Sequence, residues 1–336
     1  MKKLRIGIIG CGRIAVLHFD AVANSDRAEL VACADIVVEK AQKYAEEYHI
    51  NAYSDYQQMF RDEKLDAVHI CLPHYLHTKV AIEAMEAGLD VLVEKPMDIN
   101  MARAKEAVEA SKALGRVYGV ISQSRYTPSA MMVKEAVKSG KLGKILSVRS
   151  VVTWKRTDAY YDEDAWRGTW DMEGGGVVIN QAIHSVDLVR WIVDSEIESM
   201  DCAMHKRNHP TIEVEDVAEG MARFANGTLY HFWYTINYGR DEPVDIRMVC
   251  EKGTVLLEYN DAVIKYADGS IEENHRDLKP TKGKDYWGNM HANQISNFYG
   301  ACLGIEKLDI DGEEALKTHR VVCAMYDQGG LKPQSL

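Results

Sequence analysis

A chain of 336 residues is too long for one ordinary core and calls for about two domains at ~100–200 residues each. With 46% apolar and 27% charged residues, the composition is that of a folded soluble protein and excludes extended disorder. The net charge of −11 argues against nucleic acid or an anionic membrane as partner, because phosphate surfaces require a basic face.

The seven cysteines are scattered without a Cys-x-x-Cys pair, and several sit inside apolar runs, which points to a reducing compartment. The N-terminus runs directly into a short apolar strand, and no apolar run approaches ~18 residues, so the expected location is cytoplasmic.

Arg5-Ile6-Gly7-Ile8-Ile9 reads as a buried strand that flows through Gly10-Cys11-Gly12-Arg13-Ile14-Ala15 into a helical pattern. This is Gly-x-Gly-x-x-Ala between a strand and a helix, the context a dinucleotide-binding turn requires. Gly10 permits the tight turn, Gly12 leaves room for a pyrophosphate, and Ala15 allows close helix–strand contact, while the helix N-terminus offers N–H groups to the phosphates. A second strand, Leu30-Val31-Ala32-Cys33-Ala34, ends in Asp35 at the spacing of a ribose-binding acid. An acid there accepts from a ribose 2′-hydroxyl and repels a 2′-phosphate, and Ile36 follows it; NAD is therefore favoured over NADP.

Helices are expected at 38–48, 77–87 and 101–114, and strands at 67–72, 91–93 and 117–121. Strands alternating with helices of this length make an α/β doubly wound parallel sheet. The strand Val91-Leu92-Val93 ends abruptly in Glu94-Lys95-Pro96. A lysine at the mouth of a parallel strand either marks a solvent-facing strand end or faces a ligand, since ligands bind at strand C-termini in such sheets. His69, Cys71, His74 and His77 are close in sequence, but two lie on a period-two buried strand and the spacing fits no usual zinc pattern, so no metal is expected. His74 and His77 are instead expected to line the cofactor cleft.

After residue 122 the pattern changes. The expected division is a Rossmann domain over 1–122 and an α+β substrate and oligomerisation domain over 123–336. Gln123 to Pro128 is a linker into a helix over 129–139. Strands then dominate at 145–154, 218–224, 228–237, 246–250, 254–259 and 262–266, with turns at Asn226-Gly227 and Asp268-Gly269. Strands without intervening helices imply a largely antiparallel sheet.

Between the first two of these strands, aromatics alternate with cations: Trp154, Arg156, Tyr160, Tyr161, Trp166, Arg167 and Trp170. Any one ring could simply cover the sheet, but the group suits a polyhydroxylated ring, with guanidinium groups for a carboxylate or phosphate. Gly174-Gly175-Gly176 then opens a helical pattern over 177–191, in which Asn180, His184 and Asp187 share a face at i, i+4 and i+7. A polar stripe on a buried helix costs free energy unless satisfied or used. A core histidine bonded to Asp187 is one outcome; a catalytic imidazole oriented by it is the other. Tyr286-Trp287-Gly288-Asn289-Met290-His291 precedes helices at 292–303 and 312–326, and His291 could reach the same cleft. The tail beyond Gly330 is expected to fray.

In combination the chain resembles the glucose–fructose oxidoreductase / inositol dehydrogenase / MocA family along essentially its whole length. The residues that carry the resemblance are Gly10-x-Gly12-x-x-Ala15, Asp35, Cys71-Leu72-Pro73-x-x-x-His77, Glu94-Lys95-Pro96, Arg125-Tyr126-x-Pro128 and the glycine run with His184-x-x-Asp187. Within the family, the loop from Tyr160 to Gly168 and Asn180-Gln181-Ala182-Ile183-His184 look most similar to sugar-nucleotide 3-dehydrogenases and related sugar dehydrogenases. The resemblance implies an open second sheet used for dimer or tetramer contacts, and NAD(P)-linked oxidation of a sugar or cyclitol secondary hydroxyl. It places cofactor contacts at Gly10, Cys11, Gly12, Arg13, Ile14, Asp35, Leu72, Pro73, His74, His77, Glu94, Lys95 and Gln123. Substrate contacts are expected at Arg156, Tyr160, Trp166, Arg167, Asn180 and His184. Two residues depart from the common pattern: Asn180 stands where many members carry Asp, and His74 replaces a common Asn.

The implied chemistry divides between Lys95, which stabilises negative charge on the substrate oxygen, and His184, which takes the hydroxyl proton, while Asn180 orients the hydroxyl. Two other outcomes are compatible with the sequence: an NAD-dependent redox-cycling sugar-cleaving enzyme, and a non-catalytic NAD-binding regulator.

Overall fold

The computed structural model describes residues 3–258, 260–275 and 290–331. These form two compact units: the described residues up to Gln123 with those from 290 to Leu316, and those from Ser124 to 275 with those from Lys317 onward.

The first unit is built on β1 (Leu4–Ile9), β2 (Ala28–Ala34), β3 (Asn51–Tyr53), β4 (Ala67–Ile70), β5 (Asp90–Val93) and β6 (Tyr118–Val120), all pairing in parallel in the order β3-β2-β1-β4-β5-β6. The central strands are mostly apolar because both faces are covered, and every residue of β4, His69 included, is buried. The crossovers carry α1 (Ala15–Ala23), α2 (Val38–Tyr48), α3 (Tyr56–Asp62), α4 (His77–Glu86) and α5 (Met101–Leu114). Strand order reverses between β1 and β4, and ligands of open α/β sheets bind beyond the strand C-termini at such a point. The Gly10 turn follows β1, and Glu94 follows β5.

The second unit comprises α6 (Pro128–Lys138), β7 (Ile145–Thr153), the short α7 (Asp158–Asp162), α8 (Ile183–Val193), β8 (Ile197–His205), β9 (Val217–Phe224), β10 (Leu229–Thr235), β11 (Asp245–Cys250), β12 (Gly253–Glu258), β13 (Asp261–Tyr266) and β14 (Ile271–Asn274). The sheet order is β14-β13-β12-β11-β7-β10-β9-β8, antiparallel except where β7 pairs in parallel with β10. Gly227 and Gly269, both at φ +89°, make the two expected turns. Helices α6 and α8 lie against the sheet. On the outward face, Met221, Leu229, Trp233 and Val249 are each more than 40% exposed, so one side of the sheet is open.

The expected division is corrected at one place. The helix α9 (His291–Cys302), anticipated in the C-terminal domain, belongs to the first unit: Ile295, Phe298 and Tyr299 are at most 1% exposed and join a core with Ile6, Ile8 and Phe19. The last helix, α10 (Gly312–Gly329), contains the boundary between the units. The elements without a sequence expectation, β3, α3, α7, β8 and β14, are short or lie at sheet edges, where polar residues blunt the pattern. Tyr286 to Asn289 and the tail from 332 lie outside the described residues.

Candidate active site

The turn after β1 has the shape a dinucleotide needs. Gly10 sits at φ +92°, and a Cβ there would lie 2.3 Å from the Cys71 carbonyl oxygen. A Cβ on Gly12 would meet nothing within 4 Å, so the space that phosphates require is open. No side chain caps the N-terminus of α1, which leaves that end to an anion. Asp35, at the end of β2, accepts from the backbone N–H groups of Cys11 and Val37, both at 2.8 Å. The acid is thereby held against the glycine turn, with lone pairs remaining for a ribose hydroxyl. Ile36 beside it is 92% exposed and offers no cation to a 2′-phosphate. Arg13 is exposed on the same turn, Ile14 is half-buried, and Leu72 and Pro73 are half-buried beyond β4. Gln123 is buried at the end of the first unit's continuous segment.

The Glu94-Lys95-Pro96 corner contains a cis Lys95–Pro96 bond, and Lys95 is half-buried. His77 spans from this corner to the end of β4: its Nδ1 lies 2.6 Å from the Pro96 oxygen and its Nε2 2.8 Å from the Leu72 oxygen. Two carbonyls are both satisfied only by a doubly protonated ring. Burial works against that charge and pushes the His77 pKa down, while Asp98 and Glu94 work for it. His77 is thus a buried brace between two strand ends, and His74 is buried beside it.

Glu94 is bonded away from the glycine turn. Its carboxylate points into the first unit, where Oε1 lies 3.0 Å from His18 Nε2 and 3.2 Å from His291 Nε2. Burial works to raise its pKa, but the hydrogen bonds from His18 and His291 outweigh it and hold the carboxyl well below the usual range. His291 is therefore committed to Glu94.

In the second unit the helix of the Asn180 motif opens with a π turn, Val178–Ala182, before α8. An i→i+5 turn advances the chain less per residue, so Asn180 and His184 do not keep the simple α-helical register expected of them. The glycine run is explained by what anchors this end. A Cβ on Gly176 would lie 1.9 Å from the Glu215 carbonyl oxygen, and one on Gly175 would lie 2.0 Å from Tyr326 Oη. Buried Glu215 accepts from the N–H groups of Gly176 and Val178 at 2.9 and 3.0 Å and from the Tyr326 hydroxyl at 2.8 Å. Burial pushes the Glu215 carboxyl up to about 7.

Asn180 Nδ2 donates to Glu173 Oε1 at 2.5 Å and to Tyr160 Oη at 3.2 Å. Arg167 donates to the same Tyr160 oxygen at 2.5 Å, and its guanidinium lies 4.5 Å from the ring centroids of both Tyr160 and Trp166. Asn180, Tyr160, Trp166 and Arg167 thus form one contact group. Arg156 joins through a cation–π contact to Tyr160 at 5.5 Å, but its charge is paired with Asp241 at 3.1 Å. Arg167 is likewise 3.4 Å from Asp164. Half-buried His184 begins α8 close to this group in sequence. Asp187 does not have the expected role of orienting it: its carboxylate accepts two bonds from Arg125, at 2.8 and 2.5 Å, and one from Thr318 at 2.6 Å.

Residues 4–122 match an oxidoreductase family with an NAD-binding Rossmann fold, and residues 130–256 match the GFO/IDH/MocA C-terminal domain. The structure is similar to that of the WlbA dehydrogenase from Bordetella pertussis in complex with NADH and UDP-GlcNAcA, with a TM-score of 0.86 and 30% identity, covering 98% of this chain and 97% of that one. Among curated proteins, the inositol 2-dehydrogenase of Rubrobacter xylanophilus is 29% identical over 263 residues, 76% of this chain and 72% of the relative. The D-glucoside 3-dehydrogenase of Escherichia coli is 24% identical over 349 residues, 97% of this chain and 95% of the relative. The chain belongs to the Gfo/Idh/MocA oxidoreductase family.

As a Gfo/Idh/MocA protein, it carries an NAD-binding Rossmann domain and is an oxidoreductase. Four of its residues near the site escaped sequence reasoning: Glu173, Glu215, Tyr326 and His18. The glycine run signalled that something large packs against it, but no spacing names Glu215 or Tyr326. His18 falls on the apolar face of α1, where a histidine reads as core.

Proposed function

We propose that this protein is an NAD-dependent dehydrogenase of a sugar secondary hydroxyl, with nucleotide sugars as the first substrate class. The observation that carries the proposal is the ring-and-guanidinium group of Tyr160, Trp166 and Arg167 fastened to Asn180, on a chain whose dinucleotide turn ends at Asp35. The near full-length likeness to a dehydrogenase structure holding NADH and UDP-GlcNAcA supports the substrate class. Asp35 and exposed Ile36 favour NAD over NADP.

Bound NAD supplies the hydride acceptor; the glycine turn, the α1 N-terminus and Asp35 hold it. Lys95 places an ammonium on the substrate oxygen and stabilises its developing negative charge. His184 accepts the hydroxyl proton. Asn180 cannot act as a base; its Nδ2 donates to Glu173 and Tyr160, which fixes the amide beside the ring-and-guanidinium group where it orients a substrate hydroxyl. A second copy of the chain is the expected partner for the open sheet face around Met221 and Trp233, giving a dimer or tetramer. The test is NADH formation with UDP-GlcNAcA, uronates, aldoses and inositols, each with NAD and with NADP. Turnover of at least one with NAD is expected; no turnover of any, with cofactor bound, refutes the assignment.

A further inference from the structure

Glu94 makes bonds that cofactor binding does not require. Its Oε1 takes His18 and His291, and its Oε2 takes the Lys95 backbone N–H at 3.2 Å. Behind His18, Nδ1 lies 3.0 Å from His69 Nδ1, and His69 Nε2 lies 3.2 Å from Tyr299 Oη. All of these residues are at most 4% exposed. They come from α1, β4, the end of β5 and α9, so the return of α9 to the first unit delivers two of them.

The proton positions follow from the acceptors. A carboxylate only accepts, so His18 Nε2 carries a hydrogen. Burial pushes His18 and His69 toward their neutral forms, so His18 supports the Glu94 carboxylate by its hydrogen bond rather than by a charge. His18 Nδ1 is then a bare lone pair and must meet an N–H on His69 Nδ1. His69 Nε2 is left bare and takes the Tyr299 O–H. His291 donates from Nε2, and its Nδ1, buried with no hydrogen-bond partner, is a lone pair. An orphaned acceptor costs less than an orphaned N–H.

The ligand atoms of His18, Glu94 and His291 also lie within 4.8 Å of one another, close enough for a cation. A metal would take Nε2 of both rings and force the hydrogen of His291 onto its orphaned Nδ1. The 3.0 and 3.2 Å contacts are ordinary hydrogen-bond lengths. The cluster fits protons better than a metal.

We propose that His18, His69, His291 and Tyr299 are positioning residues: a hydrogen-bond relay of fixed direction that holds Glu94 as a carboxylate and sets the corner from which Lys95 acts. The positioning role rests on the proposed function of Lys95. Cys71 and His77 are the other titratable groups that sense the Glu94 charge, and neither hydrogen-bonds to it among the contacts described.

The relay is tested on the full-length chain with 15N-labelled histidine, resonances being assigned with single His→Gln variants. Neutral rings are expected at His18 and His69, with the hydrogen on Nε2 of His18 and Nδ1 of His69, and a hydrogen on Nε2 of His291. Tyr299→Phe, which keeps the ring, shifts the His69 Nε2 resonance and leaves His291 unmoved. An imidazolium at His18, the opposite tautomer at His69, an unresponsive His69, or stoichiometric zinc in the purified protein overturns the relay. Positioning is tested by His18→Leu and His18→Gln with NAD and UDP-GlcNAcA. His18→Leu should lower kcat at least about tenfold with KM for NAD within about twofold, and Gln, whose amide can donate to Glu94, should recover most of the loss. Unchanged kcat in His18→Leu, or no recovery in Gln, overturns it. Wild-type turnover in Lys95→Met would instead remove the Lys95 assignment and leave the tautomers standing.

Discussion

Asn180→Asp is the substitution whose outcome the geometry fixes most closely. Both donor bonds of the Asn180 amide, to Glu173 at 2.5 Å and Tyr160 at 3.2 Å, depend on Nδ2. Aspartate replaces that donor with a second acceptor facing a carboxylate that is 1% exposed. At an effective dielectric constant near 20, two unit charges about 3 Å apart repel by about 5 kcal/mol. Position 180 is half-buried, and water screening there reduces the expected cost to about 3 kcal/mol. The pair relieves the repulsion by retaining one proton, so one carboxyl of the two has a raised pKa in the native state. A raised native pKa gives stability that is present in acid and lost as pH rises through it. Urea unfolding at pH 5 and pH 9 is the assay. Asn180→Asp should lose about 3 kcal/mol at pH 9 and about 1.5 kcal/mol at pH 5, relative to wild type at each pH. Adding Glu173→Gln restores a donor–acceptor pair in the reverse direction and should recover most of the loss. A deficit that does not change with pH, or one that Glu173→Gln leaves in place, refutes the reasoning.

Asp35→Ser combined with Ile36→Arg removes the ribose acceptor and adds a cation for a 2′-phosphate. KM for NAD should rise at least about tenfold and KM for NADP should fall, and unchanged cofactor constants would contradict the role of Asp35. Burial raises the Glu215 carboxyl from 4.5 to about 7, so its contribution to stability is fully present below pH 4.5 and lost as pH rises through 7. Glu215→Gln removes that loss at about 1.4 kcal/mol per pH unit, so the variant should gain up to about 3 kcal/mol on wild type between pH 4.5 and 8. Thermal melts in which the two chains stay parallel with pH would contradict it.

What the sequence disclosed was local, and what it hid depended on distant packing. The Gly10 turn, Asp35 and the β-α alternation are written in contiguous residues, and each forms where expected. Helix α9 was visible as a helix, yet its apolar face fits either unit, and only Phe298 and Tyr299 against Phe19 and Ile6 decide between them. Glu94 and His77 sit in motifs that face a cofactor cleft by position, but their side chains turn inward, because a buried carboxylate and a buried imidazole recruit the polar partners nearest in space. The periodicity that joined Asn180, His184 and Asp187 assumed an α-helix; the π turn at Val178–Ala182 breaks it, and Arg125 takes Asp187. Gly175 and Gly176 announced close contact without naming Tyr326 or Glu215, which lie far along the chain.

Single-turnover NADH formation, measured with NAD-loaded wild type, Lys95→Met and His184→Ala on a sugar the wild type oxidises, tests the division of the chemistry most directly. Each variant should bind NAD as wild type does and form NADH roughly 100-fold more slowly or worse, from loss of charge stabilisation in one and of the proton acceptor in the other. Wild-type rates of NADH formation in both variants would contradict it.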